Sequence, residues 1–118
     1  MPHFVQVRTK ARSHRVRVPN EEEIRFNIAG RMILAILRKI SLTGGLAEFP
    51  GALGDVSIAE VRLETTNGPV KGLVEFLPSQ KKAKPNTYAF RFIALSDGDY
   101  KRLNATVTVL RNTGFSEH

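Results

Sequence analysis

A chain of 118 residues, 42% hydrophobic and 25% charged, is the size of one globular domain with a single core rather than a disordered segment. It has no cysteine, which excludes disulfides, and no apolar run long enough to span a bilayer or to form a signal peptide's core, so the reading is cytoplasmic. Lys and Arg number 18 against 11 Asp and Glu, and the net charge of +7 points to an anionic partner such as a nucleotide, a nucleic acid, or an acidic protein or lipid surface.

The charge is concentrated at the start. Residues 1–19 hold Arg8, Lys10, Arg12, Arg15 and Arg17 and no acid. We read residues 1–14 as a basic, flexible arm, with Arg15-Val16-Arg17-Val18 adopting strand period before Pro19. Glu21, Glu22 and Glu23 form a solvated acidic turn. Residues 24–28 alternate, with Ile24, Phe26 and Ile28 inward and Arg25 and Asn27 outward, and Ala29-Gly30 turns the chain into a hairpin. Residues 32–37 are apolar at every position, which predicts a strand buried on both faces. That strand stops in Ser41-Leu42-Thr43-Gly44-Gly45. Such a stretch is either a tight turn between two barrel strands or a rim where backbone N–H groups and a hydroxyl hold a small polar ligand.

Residues 46–49 predict a short strand ended by Pro50-Gly51. Residues 56–65 predict a longer one, with a slip at Ala59-Glu60 that suggests a bulge. Asn67-Gly68 is a hairpin signal, and Val70, Gly72, Val74 and Phe76 share a face of the return strand. Residues 78–86 carry Lys81, Lys82 and Lys84 in an exposed loop. Residues 88–93 form the last strand, with Tyr88, Phe90 and Phe92 on one face. The period then becomes helical over about residues 96–112. Ser96 is the cap, Asp99 completes a capping-box-like pair, and Tyr100, Leu103, Val107 and Leu110 form the stripe. The β-branched run Thr106-Val107-Thr108-Val109 weakens this helix, Gly114 is its expected stop, and residues 113–118 are a tail. Six or seven short strands and one terminal helix indicate a small antiparallel barrel.

The chemistry of an enzyme is missing. His3, His14 and His118 lack metal-ligand spacing. There is no Gly-rich phosphate loop, no nucleophile elbow and no pattern of paired carboxylates. The chain therefore reads as a binding domain, without a cofactor.

The order of these pieces resembles the PilZ domain of bacteria: a basic arm, a hairpin, a strand ending Ile-Ser-Leu-Thr-Gly-Gly-Leu, further antiparallel strands, then Tyr-Ala-Phe-Arg-Phe-Ile-Ala-Leu-Ser-Asp-Gly-Asp-Tyr-Lys-Arg-Leu. The resemblance covers roughly residues 8–112. It implies an all-β fold, a small six-stranded antiparallel split β-barrel with one C-terminal α-helix, spanning residues 15–112. It also implies a bacterial cytoplasmic receptor for cyclic di-GMP, monomer or dimer, that relays the messenger to a protein partner as its arm orders. Two motifs carry binding in the family, Arg-x-x-x-Arg in the arm and Asp/Asn-x-Ser-x-x-Gly at a strand end. Arginine forks onto phosphate or guanine edges, the acid accepts from a guanine N–H, and Gly lets backbone approach the base.

Both motifs are altered here. Arg15 falls on the second arginine, while Ala11, flanked by Lys10 and Arg12, falls on the first; Arg8 and Arg12 have the spacing three residues early. Ser41 and Gly44 match, but Lys39 stands at the acidic position, where an ammonium donates and cannot accept. The implied ligand set is Lys10, Arg12, Arg15, Lys39, Ser41 and Gly44. Two other readings stay open. One is a PilZ-like module that has lost the nucleotide and binds a protein. The other is a basic barrel on nucleic acid, for which the three loop lysines lack interleaved aromatics.

Overall fold

The computed structural model describes residues 4–5, 16–18, 22–54, 56–78 and 85–113. Among these residues eight strands and one helix follow in order: β1 (Phe4–Val5), β2 (Val16–Arg17), β3 (Glu23–Ile28), β4 (Arg31–Ile40), β5 (Gly44–Glu48), β6 (Ile58–Thr65), β7 (Gly68–Phe76), β8 (Thr87–Ser96) and α1 (Asp97–Asn112). Six of them close an antiparallel ring, β8-β5-β4-β3-β6-β7, with β7 pairing back to β8. The two-residue strands stand outside it: β1 pairs β8 and β2 pairs β4. This is the split six-stranded barrel expected from the sequence. No helix among the described residues is long and apolar enough to cross a membrane.

Alternation builds the core. Ile24, Phe26 and Ile28 of β3 and Ala59, Val61 and Leu63 of β6 point inward and are buried. Phe26 is fully buried at the centre, its ring 5.0, 5.3 and 5.5 Å from those of Phe49, Phe76 and Phe90. Tilted and edge-on contacts of this kind suit the ring quadrupoles. Tyr88 closes the cluster edge-on against Phe49, and its hydroxyl accepts a hydrogen bond from the Leu53 amide at 3.1 Å. The β3–β4 hairpin turns at Ala29-Gly30 with φ of 51° and 81°, the two positive values that match the twist of the flanking strands.

Four sequence expectations are corrected. Residues 32–37 are not buried on both faces: Ala35 and Leu37 face the core, but Met32 is 63% and Leu34 47% exposed, because α1 lies elsewhere and nothing described covers this outer face. The slip at Ala59-Glu60 is no bulge, since β6 pairs β7 residue for residue from Ile58 to Thr65. The bulges fall instead at Arg38, extra between the pairs Leu37↔Ala47 and Lys39↔Leu46, and at Ile93, extra between Phe92 and Ala94 opposite Val74 and Leu73. Each shifts the inward phase by one residue, which is how Ile40 and Leu95 reach the core. Finally, the short strand begins at Gly44 rather than Leu46, and the last strand runs on to Ser96. The loop lysines Lys81, Lys82 and Lys84 and the stop at Gly114 lie outside the described residues.

Helix α1 starts as the sequence predicts. The Ser96 hydroxyl accepts the Asp99 amide at 3.1 Å and donates to the Asp99 carboxylate. Leu103 and Val107 are buried, with Tyr100 and Leu110 partly buried against the core. Asp99 also ties the helix to the barrel: its Oδ1 accepts the Lys71 amide at 2.9 Å and Arg102 at 3.0 Å, while Arg102 Nε donates to the Pro69 carbonyl at 2.6 Å. Burial alone would raise the Asp99 pKa. The hydrogen bonds from Ser96, Lys71 and Arg102, with the Arg102 charge, outweigh it and hold the carboxyl below its usual range. A carboxyl lowered on folding stabilises the native state above its unfolded pKa, and that stabilisation is lost as pH falls through the lowered folded value. Thermal denaturation between pH 7 and pH 3 should therefore show a smaller loss of stability for Asp99→Asn than for the parent chain; equal losses would remove Asp99 from the acid response.

Candidate functional site

The β4–β5 hairpin carries the three described members of the expected ligand set. Serine followed two and three residues on by free amides folds into a side-chain-closed turn, because the hydroxyl can accept both. That happens here. Ser41 is 3% exposed, and its Oγ accepts the amides of Thr43 and Gly44, each at 3.2 Å. The same oxygen lies 3.2 Å from the Gly44 carbonyl and from Thr43 Oγ1, and the Ser41 amide donates to the Gly44 carbonyl at 2.7 Å.

The glycines that follow are set by packing. A Cβ on Gly44 would stand 2.0 Å from the Phe90 carbonyl oxygen and 2.8 Å from Arg91 Cα. A Cβ on Gly45 would meet the Lys39 carbonyl at 2.5 Å and the Phe90 ring at 2.8 Å. The hairpin can lie on β8 only without side chains at these two positions. The sequence left a tight turn and a ligand rim as alternatives, and the tight-turn geometry is present in full.

Beside this turn the structure gathers positive charge. Val16 pairs with Ile40 and Arg17 with Lys39, in antiparallel register, and the Val18 amide donates to the Arg38 carbonyl at 3.0 Å. Val16 is fully buried and so anchors β2 to the end of β4. Arg38 turns the other way, its guanidinium donating twice to Glu48 Oε1 at 3.1 and 3.2 Å. Lys10, Arg12 and Arg15 lie outside the described residues. Arg15 directly precedes Val16 in the sequence.

Arg17 was missing from the expected set, although Arg15-Val16-Arg17-Val18 contains the signal. The alternation of Arg and Val over residues 15–18 puts Arg17 on the outer side of β2 once Val16 points inward. Among the described residues, no group of His, Cys, Asp and Glu could hold a metal ion. The site thus sets the cationic side chains of Arg17 and Lys39 in register beside a short hydroxyl-closed turn, a charge suited to an anion.

No protein-family model matches the sequence, and no curated protein matches it. Solved structures do match in shape. The PilZ domain of YcgR from Escherichia coli, with c-di-GMP, aligns over 89% of this chain and 94% of its own, with a TM-score of 0.70 and 15% identity. The PilZ domain of CeSA from a cellulose-synthesizing bacterium aligns over 84% of this chain and 99% of its own, with a TM-score of 0.60 and 13% identity.

Proposed function

The chain has a PilZ-like fold, and on that premise we propose that it binds cyclic di-GMP at the β4–β5 hairpin and passes the signal to a protein partner as its basic arm orders around the ligand. One observation carries the reading. The β2–β4 register sets Arg17, which follows Lys10, Arg12 and Arg15 in sequence, opposite Lys39 near the end of the strand that leads into Ser41 and Gly44. We take the two altered motif halves, more than twenty residues apart in sequence, as one locus.

In this reading Lys10, Arg12, Arg15 and Lys39 meet phosphate oxygens. The turn closed by Ser41 and Gly44 presents its outer edge to a guanine. Lys39 leaves one guanine N–H without the acceptor that the family's acid supplies, at about 1–3 kcal/mol, or roughly tenfold to a hundredfold in affinity. We assign no catalytic role to any residue. A second reading, a module that has lost the nucleotide and binds a protein directly, is favoured by one specific fact: the Ser41 hydroxyl is already committed to its own turn.

Calorimetric titration with cyclic di-GMP separates them. The parent should bind, Arg15→Ala should weaken binding at least tenfold, and Lys39→Asp should strengthen it by roughly tenfold to a hundredfold. Amide NMR signals of residues 8–17 and 39–45 should shift on addition of ligand. A silent parent with a binding Lys39→Asp variant means a receptor switched off at one acceptor. Silence from both overturns the nucleotide reading in favour of the protein-binding module.

A further inference from the structure

The outer face of the barrel opposite the core carries an arrangement that the nucleotide reading does not use. Across three neighbouring strands, Arg25 of β3, Arg62 of β6 and Lys71 of β7 are direct partners in register. All three are exposed. Like charges placed directly opposite one another destabilise a sheet. Only Arg62 has a carboxylate partner among the described residues, Glu64 at 2.7 Å. The cation row is flanked by exposed apolar side chains, Met32 and Leu34 of β4 on one side and Leu73 of β7 on the other, at 63, 47 and 39% exposure. Leu34 is the register partner of Arg25, so the row runs Leu34-Arg25-Arg62-Lys71 across four strands. Arg25, Arg62, Lys71, Met32 and Leu73 line a shallow groove of about 500 Å³.

We propose that this groove docks an acidic amphipathic helix of a protein partner. The spacing fits: neighbouring strands stand about 4.8 Å apart, and side chains one helical turn apart about 5–6 Å. A helix lying across the strands therefore brings successive carboxylates over Arg25, Arg62 and Lys71, while its apolar flank covers Met32, Leu34 and Leu73. Charge complementarity of this kind governs both encounter rate and orientation. Glu60, register partner of Asn27 and Leu73, also lines the groove. A carboxylate there opposes an anionic bilayer, whereas a peptide can meet it with a donor. A protein helix is therefore the occupant the groove favours over a lipid surface.

The test uses the full chain and two synthetic helical peptides, one with glutamates a turn apart beside a leucine stripe, the other with lysines in place of the glutamates. The acidic peptide should shift the amide signals of residues 25, 27, 32, 34, 60, 62, 71 and 73, and binding should weaken as salt rises. The double variant Arg25→Glu/Arg62→Glu should bind it at least tenfold more weakly and gain affinity for the lysine peptide. Leu34→Ser alone should also weaken binding. These substitutions are on the surface, and an unchanged thermal midpoint verifies that the barrel is intact. The proposal is overturned by equal binding of both peptides, by shifts outside the groove, by no binding at millimolar peptide, by tighter binding to anionic phospholipid vesicles, or by self-association that Leu34→Ser abolishes.

Discussion

Phe26→Ala is expected to cost the domain about 3–5 kcal/mol, the range for a fully buried aromatic cut back to a methyl. Its ring touches three others, from β7, β8 and the segment after β5, so its loss opens a cavity that no single neighbour can fill. Domains of this size are stable by only about 5–15 kcal/mol, so the change removes a large share of the total. Thermal unfolding should show a midpoint lowered on the order of 10–20 °C. Met32→Ala, on the outer face, is the control and should stay within about 0.5 kcal/mol of the parent. A Phe26→Ala midpoint close to that control would mean the aromatic cluster is not the centre of stability.

Gly44→Ala carries the second large effect, from a different cause. The added methyl would lie 2.0 Å from a backbone oxygen of β8, and neither strand can yield without disturbing the pairs Gly44↔Arg91 and Gly45↔Phe90. The expected loss is about 3 kcal/mol, the upper part of the range for overpacking. Gly51→Ala, with open space around its Cβ position, should be nearly neutral. Urea denaturation of the two variants decides the matter. If Gly44→Ala keeps its midpoint, Gly44 is not fixed by packing and its place in the motif is a matter of ligand contact alone.

The comparison of sequence and structure has a physical logic. The β3–β4 hairpin and the start of α1 were legible because each is a local device: two turn residues with positive φ in one case, a serine and an aspartate three apart in the other. The bulges were not, because an extra residue such as Arg38 or Ile93 is defined only against a partner strand distant in sequence. Exposure of Met32 and Leu34 was missed for a related reason. An apolar run records which residues tolerate burial, but which face is covered depends on where α1 packs. At the site, Ser41 and Gly44 stood out by spacing, yet spacing alone could not separate a ligand contact from a turn held by its own hydroxyl. The link between Arg17 and Lys39 needed the β2–β4 register, because the period of residues 15–18 marks a strand but names no partner.

The ring closes through β8, which pairs with β5 on one side and β7 on the other. As the chain is synthesised from its N-terminus, β3 to β7 can form a sheet before β8 exists, but that sheet has two bare edges, one at β5 and one at β7. Bare edges recruit strands from neighbouring molecules. The vulnerable interval in the life of this protein is therefore the emergence of residues 87–96 from the ribosome, and it ends when one strand satisfies both edges at once. Nascent chains halted before Thr87 should be the aggregation-prone species, and chains released past Ser96 should not.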